Sequence, residues 1–244
     1  MEGVNKIKYF WINRNKDLLA KGKISWLEPN KIERQSILSS LIDAKKYIKG
    51  KILDVGCGNK PYKSIFEDVV EEYIGLDLPP PISTNVDADV FGNSLNLPFK
   101  SNVFDAVLSI QVLDDVPEPK KMMEETYRVL KNGGYLVLTA PLTWGLHDEP
   151  HDYYRYTKHG LKYLAESAGF EVIWIKERCG FWGMIGQKLS GYVYYWRGVP
   201  KSIIGEISKR SLCAIIQLIF CFLDHNKNKA RSDTLGYILV AKNK

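Results

Sequence analysis

Short apolar runs alternate with stretches of helical spacing over most of the chain. A run that is apolar throughout predicts a strand buried on both faces. The predicted strands lie at 51–55, 72–76, 104–110, 135–140, 170–175 and 235–241, with a weaker one near 86–90. Helical spacing and glycine stops predict helices at 29–48, 119–130 and 157–168, and a short one near 62–66. This alternation predicts an α/β protein with a doubly wound, largely parallel sheet.

Two segments depart from the alternation and are predicted to be helical additions. Residues 1–50 form an N-terminal helical cap, and residues 178–233 form an aromatic and apolar insertion. The core then covers 51–177, and 234–244 adds its final strand. The apolar run 212–223 has 12 residues, whereas a membrane-spanning helix needs about 20. It is therefore either a buried helix or a helix that faces a partner or a membrane surface.

Composition narrows the class of protein. The chain has 244 residues, of which 45% are hydrophobic and 25% charged, as in ordinary globular proteins. A net charge of +6 suits a lysine-rich surface, an anionic substrate or a phospholipid surface, and the lack of an arginine-rich run argues against nucleic acid. The four cysteines lack C-x-x-C spacing, and the N-terminus lacks the apolar stretch of a signal peptide. We expect a cytoplasmic protein in a reducing compartment.

A glycine turn and a later acid indicate a bound adenosine-type ligand. Gly56 and Gly58 flank Cys57 directly after the first strand, and Asp77 ends the second strand. Such a turn lets a ligand lie against the backbone, and the acid can accept hydrogen bonds from ribose hydroxyls. The third glycine of the dinucleotide pattern is missing, and Asp54 would repel a pyrophosphate but suit a cationic ligand.

The turn resembles motif I of the class I S-adenosylmethionine-dependent methyltransferases. Three further segments resemble that family in the same order: an adenine-pocket segment ending in Leu-Pro-Phe, an "FD-x-V" strand and an "RVLKPGG" segment. The four segments are 54–58, 93–99, 104–109 and 128–134. The resemblance implies a Rossmann-like, seven-stranded sheet of order 3-2-1-4-5-7-6 with an antiparallel last strand. It also implies S-adenosylmethionine as cofactor and S-adenosylhomocysteine as product.

The resemblance implies roles for individual residues. Those expected to contact the cofactor are Asp54, Gly56, Cys57 and Gly58 at the methionine part, Asp77 and Leu78 at the ribose, Asn93, Ser94 and Leu95 at the adenine edge, and Gln111 near the methionine part or the substrate. The chain departs from the family at two places. Asn93 replaces the usual acid, and the frequent histidine after the fourth strand is missing from the segment 113–116.

The loop at 141–157 is the predicted site of methyl transfer. It resembles the "H-x-x-P-x-D-Y-x-R-Y-T" loop of a subset of these enzymes. We expect His147 or His151 to act as the base, with Asp152 to orient one of them. Trp144, Tyr154 and Arg155 are expected at the substrate. Alternatively, pairing of Arg155 with Asp152 simply holds the loop. We predict no metal site, because the two histidines lack a third ligand.

The predicted function is methyl transfer to an oxygen of a small-molecule, glycan or lipid-linked acceptor. Two alternatives stay open: a non-catalytic binding or partner protein with the cofactor fold, and an RNA methyltransferase. The aromatic additions predict an acceptor with an apolar part. They are also compatible with peripheral membrane contact through 178–223 or with a homodimer.

Overall fold

The computed structural model describes residues 23–80, 86–196, 198, 202–225 and 233–244. The chain forms two compact units. One comprises Ser40–Glu177 and Gly236–Lys244, and the other comprises Met1–Ser39 and Arg178–Leu235.

The first unit is built on a seven-stranded sheet of order β3-β2-β1-β4-β5-β7-β6. Its strands are β1 (Gly50–Val55), β2 (Val70–Asp77), β3 (Val90–Phe91), β4 (Phe104–Ile110), β5 (Leu130–Pro141), β6 (Glu171–Glu177) and β7 (Gly236–Lys242). The pairs β3–β2, β2–β1, β1–β4 and β4–β5 are parallel, and β7 is antiparallel to β5 and β6. The predicted fold class and strand order are confirmed.

The central strands are mostly apolar because both faces of the sheet are covered. Leu53, Val107 and Leu138 belong to one buried core with Met122 and Leu161. These last two lie on α2 (Pro119–Val129) and α3 (Lys158–Ser167), the helices predicted at 119–130 and 157–168. Helix α1 (Lys31–Ala44) precedes the sheet in the chain.

Three local predictions differ from the structure. The helix near 62–66 is a 3-10 turn, Lys63–Ile65, and β3 is only two residues long. The glycines after α2 do not cap it, since α2 ends at Val129 and β5 begins at Leu130. Gly133 has φ +78° and donates its amide to the carbonyl of Asn243, so these glycines belong to the sheet.

The second unit contains α4 (Phe181–Tyr195) and α5 (Ile203–Asp224), with residues 23–39 against them. Buried polar groups join these segments. Glu33 accepts a 2.6 Å hydrogen bond from Arg178, and Gln187 donates to the carbonyl of Pro29 and accepts from the amide of Glu33.

Helix α5 contains the predicted apolar run 212–223 and has two unlike faces. Cys213, Ala214 and Gln217 are buried. The opposite face exposes large apolar side chains, namely Ile204, Ile207, Leu212, Ile215, Leu218, Ile219 and Phe222. Among the described residues, none of the helices combines the length and apolar character needed to cross a membrane.

Candidate active site

Four parallel strands end at one edge of the sheet, and the predicted site residues leave from that edge. Val55 of β1 pairs with Leu76 of β2 and with Ser109 of β4, and Ile110 of β4 pairs with Thr139 of β5. The segments that follow these strands therefore start side by side. In open parallel sheets, ligands bind at this carboxyl edge.

The turn after β1 needs glycine for two different reasons. Gly56 has φ +71°, and a Cβ there would lie 2.3 Å from Cγ2 of Val112, so the turn packs tightly against the segment after β4. Gly58 has φ +51°, but a Cβ there would meet nothing within 4 Å. The backbone of Gly58 thus faces open space that a ligand can approach closely.

Asp77 contacts this turn directly. Its Oδ2 accepts a 2.7 Å hydrogen bond from the amide of Gly58, and its Oδ1 accepts one of the same length from the amide of Leu78. The carboxylate is thus oriented by two backbone donors beside the open face of Gly58. This arrangement fits the predicted cofactor, whose ribose would lie beside this acid.

Cys57 and Lys60 pack beneath the turn. A Cβ on Gly75 would lie 2.7 Å from Sγ of Cys57 and 2.4 Å from Cε of Lys60, so β2 needs glycine here. Burial, with the nearby Asp54 charge, raises the pKa of the Cys57 thiol to about 12, which keeps it neutral. The Lys60 ammonium pairs with Asp89 at 2.8 Å. Sequence reasoning missed this ion pair, whose members are 29 positions apart.

Asp54 is only 3% exposed and accepts a 2.5 Å hydrogen bond from the hydroxyl of Tyr73. Burial raises the pKa of its carboxyl group to about 7, and the charge of Asp77 adds to the effect. The side chain is therefore half-ionised near neutral pH. Its contact with the methionine part of a cofactor stays a prediction.

The adenine-edge residues form a tight turn. Oδ1 of Asn93 accepts a 2.9 Å hydrogen bond from the amide of Leu95, and the turn closes with a bridge to Asn96. Asn93 is exposed and Ser94 is half-buried, while Leu95 packs against the core. The turn presents its polar side to solvent, and contact with an adenine stays a prediction.

Arg128 holds the Leu-Pro-Phe segment that follows. Its guanidinium donates to the carbonyls of Phe99 and Leu97 at 2.7 and 3.0 Å, and Glu125 accepts from the amide of Leu97 at 2.8 Å. Glu125 and Arg128 also pair with each other at 2.7 Å. Two of the sequence motifs are therefore one structural unit, and their order in the chain did not reveal this contact.

Gln111 follows β4 in a left-handed conformation, with φ +56°. Its amide lies 3.1 Å from both the carbonyl and the hydroxyl oxygen of Thr139 on β5. Non-glycine residues in this conformation are uncommon and concentrate at functional sites. The backbone is thus turned sharply at the carboxyl edge, where the cofactor or substrate is expected.

The loop after β5 is fastened to the segment after β4. The amides of Tyr153 and Tyr154 both donate to the carbonyl of Asp114, at 2.9 and 3.1 Å. The hydroxyl of Tyr156 donates to the carbonyl of Leu113, and the hydroxyl of Tyr154 donates to that of Pro117. Tyr154 therefore helps to hold the loop, and its contact with a substrate stays a prediction.

Arg155 uses all five of its N–H groups within the loop. It donates to both carboxylate oxygens of Asp152 and to the carbonyls of Trp144, Gly145 and Tyr154. The side chain of Asp152 is 2% exposed, and the guanidinium holds its pKa well below the usual range. This geometry favours the alternative in which the Arg155–Asp152 pair holds the loop.

His147 lies between acids of both segments. Its Nδ1 is 3.2 Å from Oδ2 of Asp152 and also 3.2 Å from the carbonyl of Gly145. Its Nε2 is 3.5 Å from Oδ2 of Asp114 and 3.8 Å from Oδ1 of Asp115. The loop after β5 thus supplies an imidazole to the segment after β4, which lacks the family's histidine.

Asp114 and Asp115 were absent from the predicted site. Burial raises the pKa of both carboxyl groups, that of Asp115 to about 7, where the charge of Asp114 adds to the effect. One ligand atom from each of Asp114, Asp115, His147 and Asp152 lies within 4.8 Å of the others. The two histidines of the loop were the only metal ligands suggested by the sequence. In the structure, His147 lies with these acids and not with His151.

His151 is placed differently from His147. It is exposed, and its Nδ1 lies 3.3 Å from the hydroxyl of Tyr153. It does not belong to the group of acids around His147. Of the predicted catalytic residues, the structure therefore brings His147 and Asp152 together and leaves His151 exposed, outside the group around His147.

Part of the chain is similar in sequence to known methyltransferases. Residues 53–138 match the family model described as a methyltransferase domain. A probable S-adenosylmethionine-dependent methyltransferase of Mycolicibacterium smegmatis is 29% identical over 133 residues, covering 50% of this chain and 52% of that protein. A demethylmenaquinone methyltransferase of Oceanobacillus iheyensis is 28% identical over 142 residues, covering 51% and 60%.

The fold is similar to that of solved methyltransferases. Phosphoethanolamine N-methyltransferase 2 of Haemonchus contortus, in complex with S-adenosyl-L-methionine, superposes with a TM-score of 0.55 at 18% identity, covering 84% of this chain and 51% of that one. The chain spans little more than half the length of the curated relatives named above. Residues 53–138 are thus similar in sequence to a methyltransferase domain, and the sheet has the fold of this solved methyltransferase.

Proposed function

We propose that the protein transfers a methyl group from S-adenosylmethionine to an oxygen of a small-molecule or lipid-linked acceptor. One observation carries the proposal. The open glycine turn, the oriented Asp77 carboxylate and the histidine-bearing loop after β5 all leave the same edge of the sheet. A cofactor and an acceptor held at this edge would be close neighbours, and proximity supplies much of the rate of a displacement.

The residues present suit the cofactor. The turn at Gly58 leaves room for a ligand against the backbone, and Asp77 can accept hydrogen bonds from ribose hydroxyls. S-adenosylmethionine would supply an electrophilic methyl group on a sulfonium sulfur. Asp54 adds partial negative charge beneath the turn, which favours a cationic ligand over a pyrophosphate.

His151 is the better candidate for removing the acceptor's proton. Both ring nitrogens of His147 face carboxylates, so neither is directed toward a free acceptor. His151 is exposed on the same loop, and its Nε2 forms no hydrogen bond or ion pair with the described residues. We therefore assign His147 and Asp152 to positioning of the loop, and His151 to proton transfer from the hydroxyl.

The apolar face of α5 supports an acceptor at a membrane surface. From 211 to 223 the chain has no charged residue, and the positions on either side are basic in balance: 201–210 and 224–233 together hold six lysine or arginine residues and three acids. An apolar face between basic flanks suits the surface of an anionic bilayer better than a second copy of the same basic chain. One relative is named for an action on demethylmenaquinone.

Vesicle co-sedimentation tests this docking surface. Liposomes with anionic lipid should retain the protein, and the double variant I215E/F222E should release it. Tyr163→Glu, which changes an exposed aromatic residue on α3, should bind like the unmodified protein. Equal retention of all three proteins, or a dimer that the double variant dissociates in light scattering, contradicts membrane docking.

Labelled S-adenosylmethionine tests the activity. Incubation with fractionated cell extract should transfer label to lipid or to small molecules, in a base-stable ether or a base-labile ester. Label in RNA, with binding that weakens steeply as salt rises, supports the RNA methyltransferase alternative. Tight cofactor binding without transfer to any fraction supports the non-catalytic alternative.

A further inference from the structure

We infer that Asp114, Asp115 and His147 form a binding site for a divalent cation of the first transition row. The three ligand atoms come from two different segments, the one after β4 and the loop after β5. Oδ2 of Asp114 and Oδ1 of Asp115 lie 3.5 and 3.8 Å from Nε2 of His147. An ion bound at about 2.1 Å to each ligand separates adjacent ligand atoms by about 3 Å and opposite ones by about 4.2 Å.

One buried oxygen each of Asp114 and Asp115 accepts no hydrogen bond from the described residues. The side chain of Asp114 is 1% exposed, and its Oδ1 accepts no hydrogen bond from the described residues. Oδ1 of Asp115, which points at His147, is likewise inaccessible and without a hydrogen bond in that part of the chain. Buried carboxylate oxygens are normally paired or bound to a metal, so these oxygens suit a bound cation.

Asp152 lies beside His147 but is not one of the proposed ligands. Its two oxygens are occupied by Arg155 and by the amide of His147, so it is not free to bind an ion itself. It lies 3.2 Å from Nδ1 of His147, as a carboxylate does when it orients a metal-binding imidazole through the far nitrogen. Nδ1–H directed at Asp152 or at the Gly145 carbonyl leaves the Nε2 lone pair facing Asp114 and Asp115.

The donor set indicates the kind of ion. Two carboxylates favour hard cations, and one imidazole shifts the preference from Mg²⁺ and Ca²⁺ toward Mn²⁺ and its neighbours. Three protein ligands leave coordination positions open, at the edge where the acceptor is expected. The inference thus deepens the proposed function and rests on it for one step: a hydroxyl bound to the ion would be more acidic and lose its proton to His151 more readily.

Titration with Mn²⁺ tests the site without any turnover. The unmodified protein should bind one equivalent, and pulsed electron paramagnetic resonance should show coupling to one imidazole nitrogen. Asp115→Asn should weaken binding at least tenfold, and His147→Gln should remove the nitrogen coupling. Asp148→Asn changes an exposed acid of the same loop outside the group and should bind Mn²⁺ like the unmodified protein.

Three results overturn the site: no saturable Mn²⁺ binding below millimolar concentration, no nitrogen coupling, or equal weakening by Asp115→Asn and Asp148→Asn. S-adenosylhomocysteine binding in the same samples separates this failure from failure of the proposed function. Binding of S-adenosylhomocysteine without binding of Mn²⁺ contradicts only the cation site. Binding of Mn²⁺ without methyl transfer contradicts only the proposed activity.

Discussion

Oδ2 of Asp77 accepts a 2.7 Å hydrogen bond from the backbone amide of Gly58, so the acid that ends β2 is oriented by the turn that follows β1. Two motifs that are 19 residues apart are thus in direct contact. Its function can be tested apart from its contribution to stability, because Asp77 is only half-buried.

We expect Asp77→Ala to weaken S-adenosylhomocysteine binding by at least tenfold, or about 1.4 kcal/mol, because the ribose hydroxyls lose their acceptor. Isothermal calorimetry measures the affinity. Glu71→Gln, at an exposed position of the same strand, should leave the affinity unchanged. If D77A keeps full affinity, the cofactor does not bind at this edge of the sheet.

The two glycines of the turn should respond differently to alanine. Gly56→Ala brings a Cβ to 2.3 Å from Val112 in a left-handed conformation and should lower the free energy of unfolding by about 2–4 kcal/mol. Gly58→Ala meets open space and should cost about 1–2 kcal/mol, but its methyl group should block the cofactor. Urea unfolding and calorimetry report the two effects separately. The reverse order of destabilisation contradicts the packing described for Gly56.

Asp54 should make the protein less stable as pH rises. Its pKa is about 7 in the folded protein, above its ordinary value of 3.8, so the folded state binds the proton more tightly than the unfolded chain. The resulting stabilisation is present below pH 4 and is lost up to pH 7, at no more than about 1.4 kcal/mol per pH unit. The Asp54→Asn variant has no carboxyl group at this position, so it should not lose this stabilisation as pH rises.

Urea unfolding of both proteins at pH 5 and pH 7.5 measures the difference. The variant should gain stability over the unmodified protein between these values. Other titrating groups, including Asp115, contribute to both proteins and therefore cancel. An equal pH dependence of the two proteins would mean that Asp54 is ionised without cost in its buried site.

His151→Gln should lower kcat by about 10²–10⁴-fold and leave cofactor affinity unchanged, because the base is lost but the binding turn is intact. The matched control is His159→Gln on α3, which is exposed and lies outside the loop. If H151Q keeps full turnover, positioning alone accounts for the rate.

The sequence predicted the sheet because apolar runs, glycine stops and four ordered motifs all depend on local chemistry. It misplaced the end of α2 because Lys-Asn-Gly-Gly is also the composition of a helix cap, and only the pairing of Leu130 with Phe104 decides in favour of a strand. The contact of His147 with the acids around it was not predicted, for a related reason. Asp114 and His147 are 33 positions apart, and their approach depends on two irregular segments that no periodicity describes.

The shared carbonyl of Asp114, which receives the amides of Tyr153 and Tyr154, has a consequence for building chimeric enzymes. The loop after β5 and the segment after β4 are hydrogen-bonded at several points. A loop transplanted alone would therefore lack the backbone carbonyls to which it normally bonds. Residues 113–117 and 142–157 should therefore be exchanged as a matched pair, and the surrounding sheet can stay unchanged.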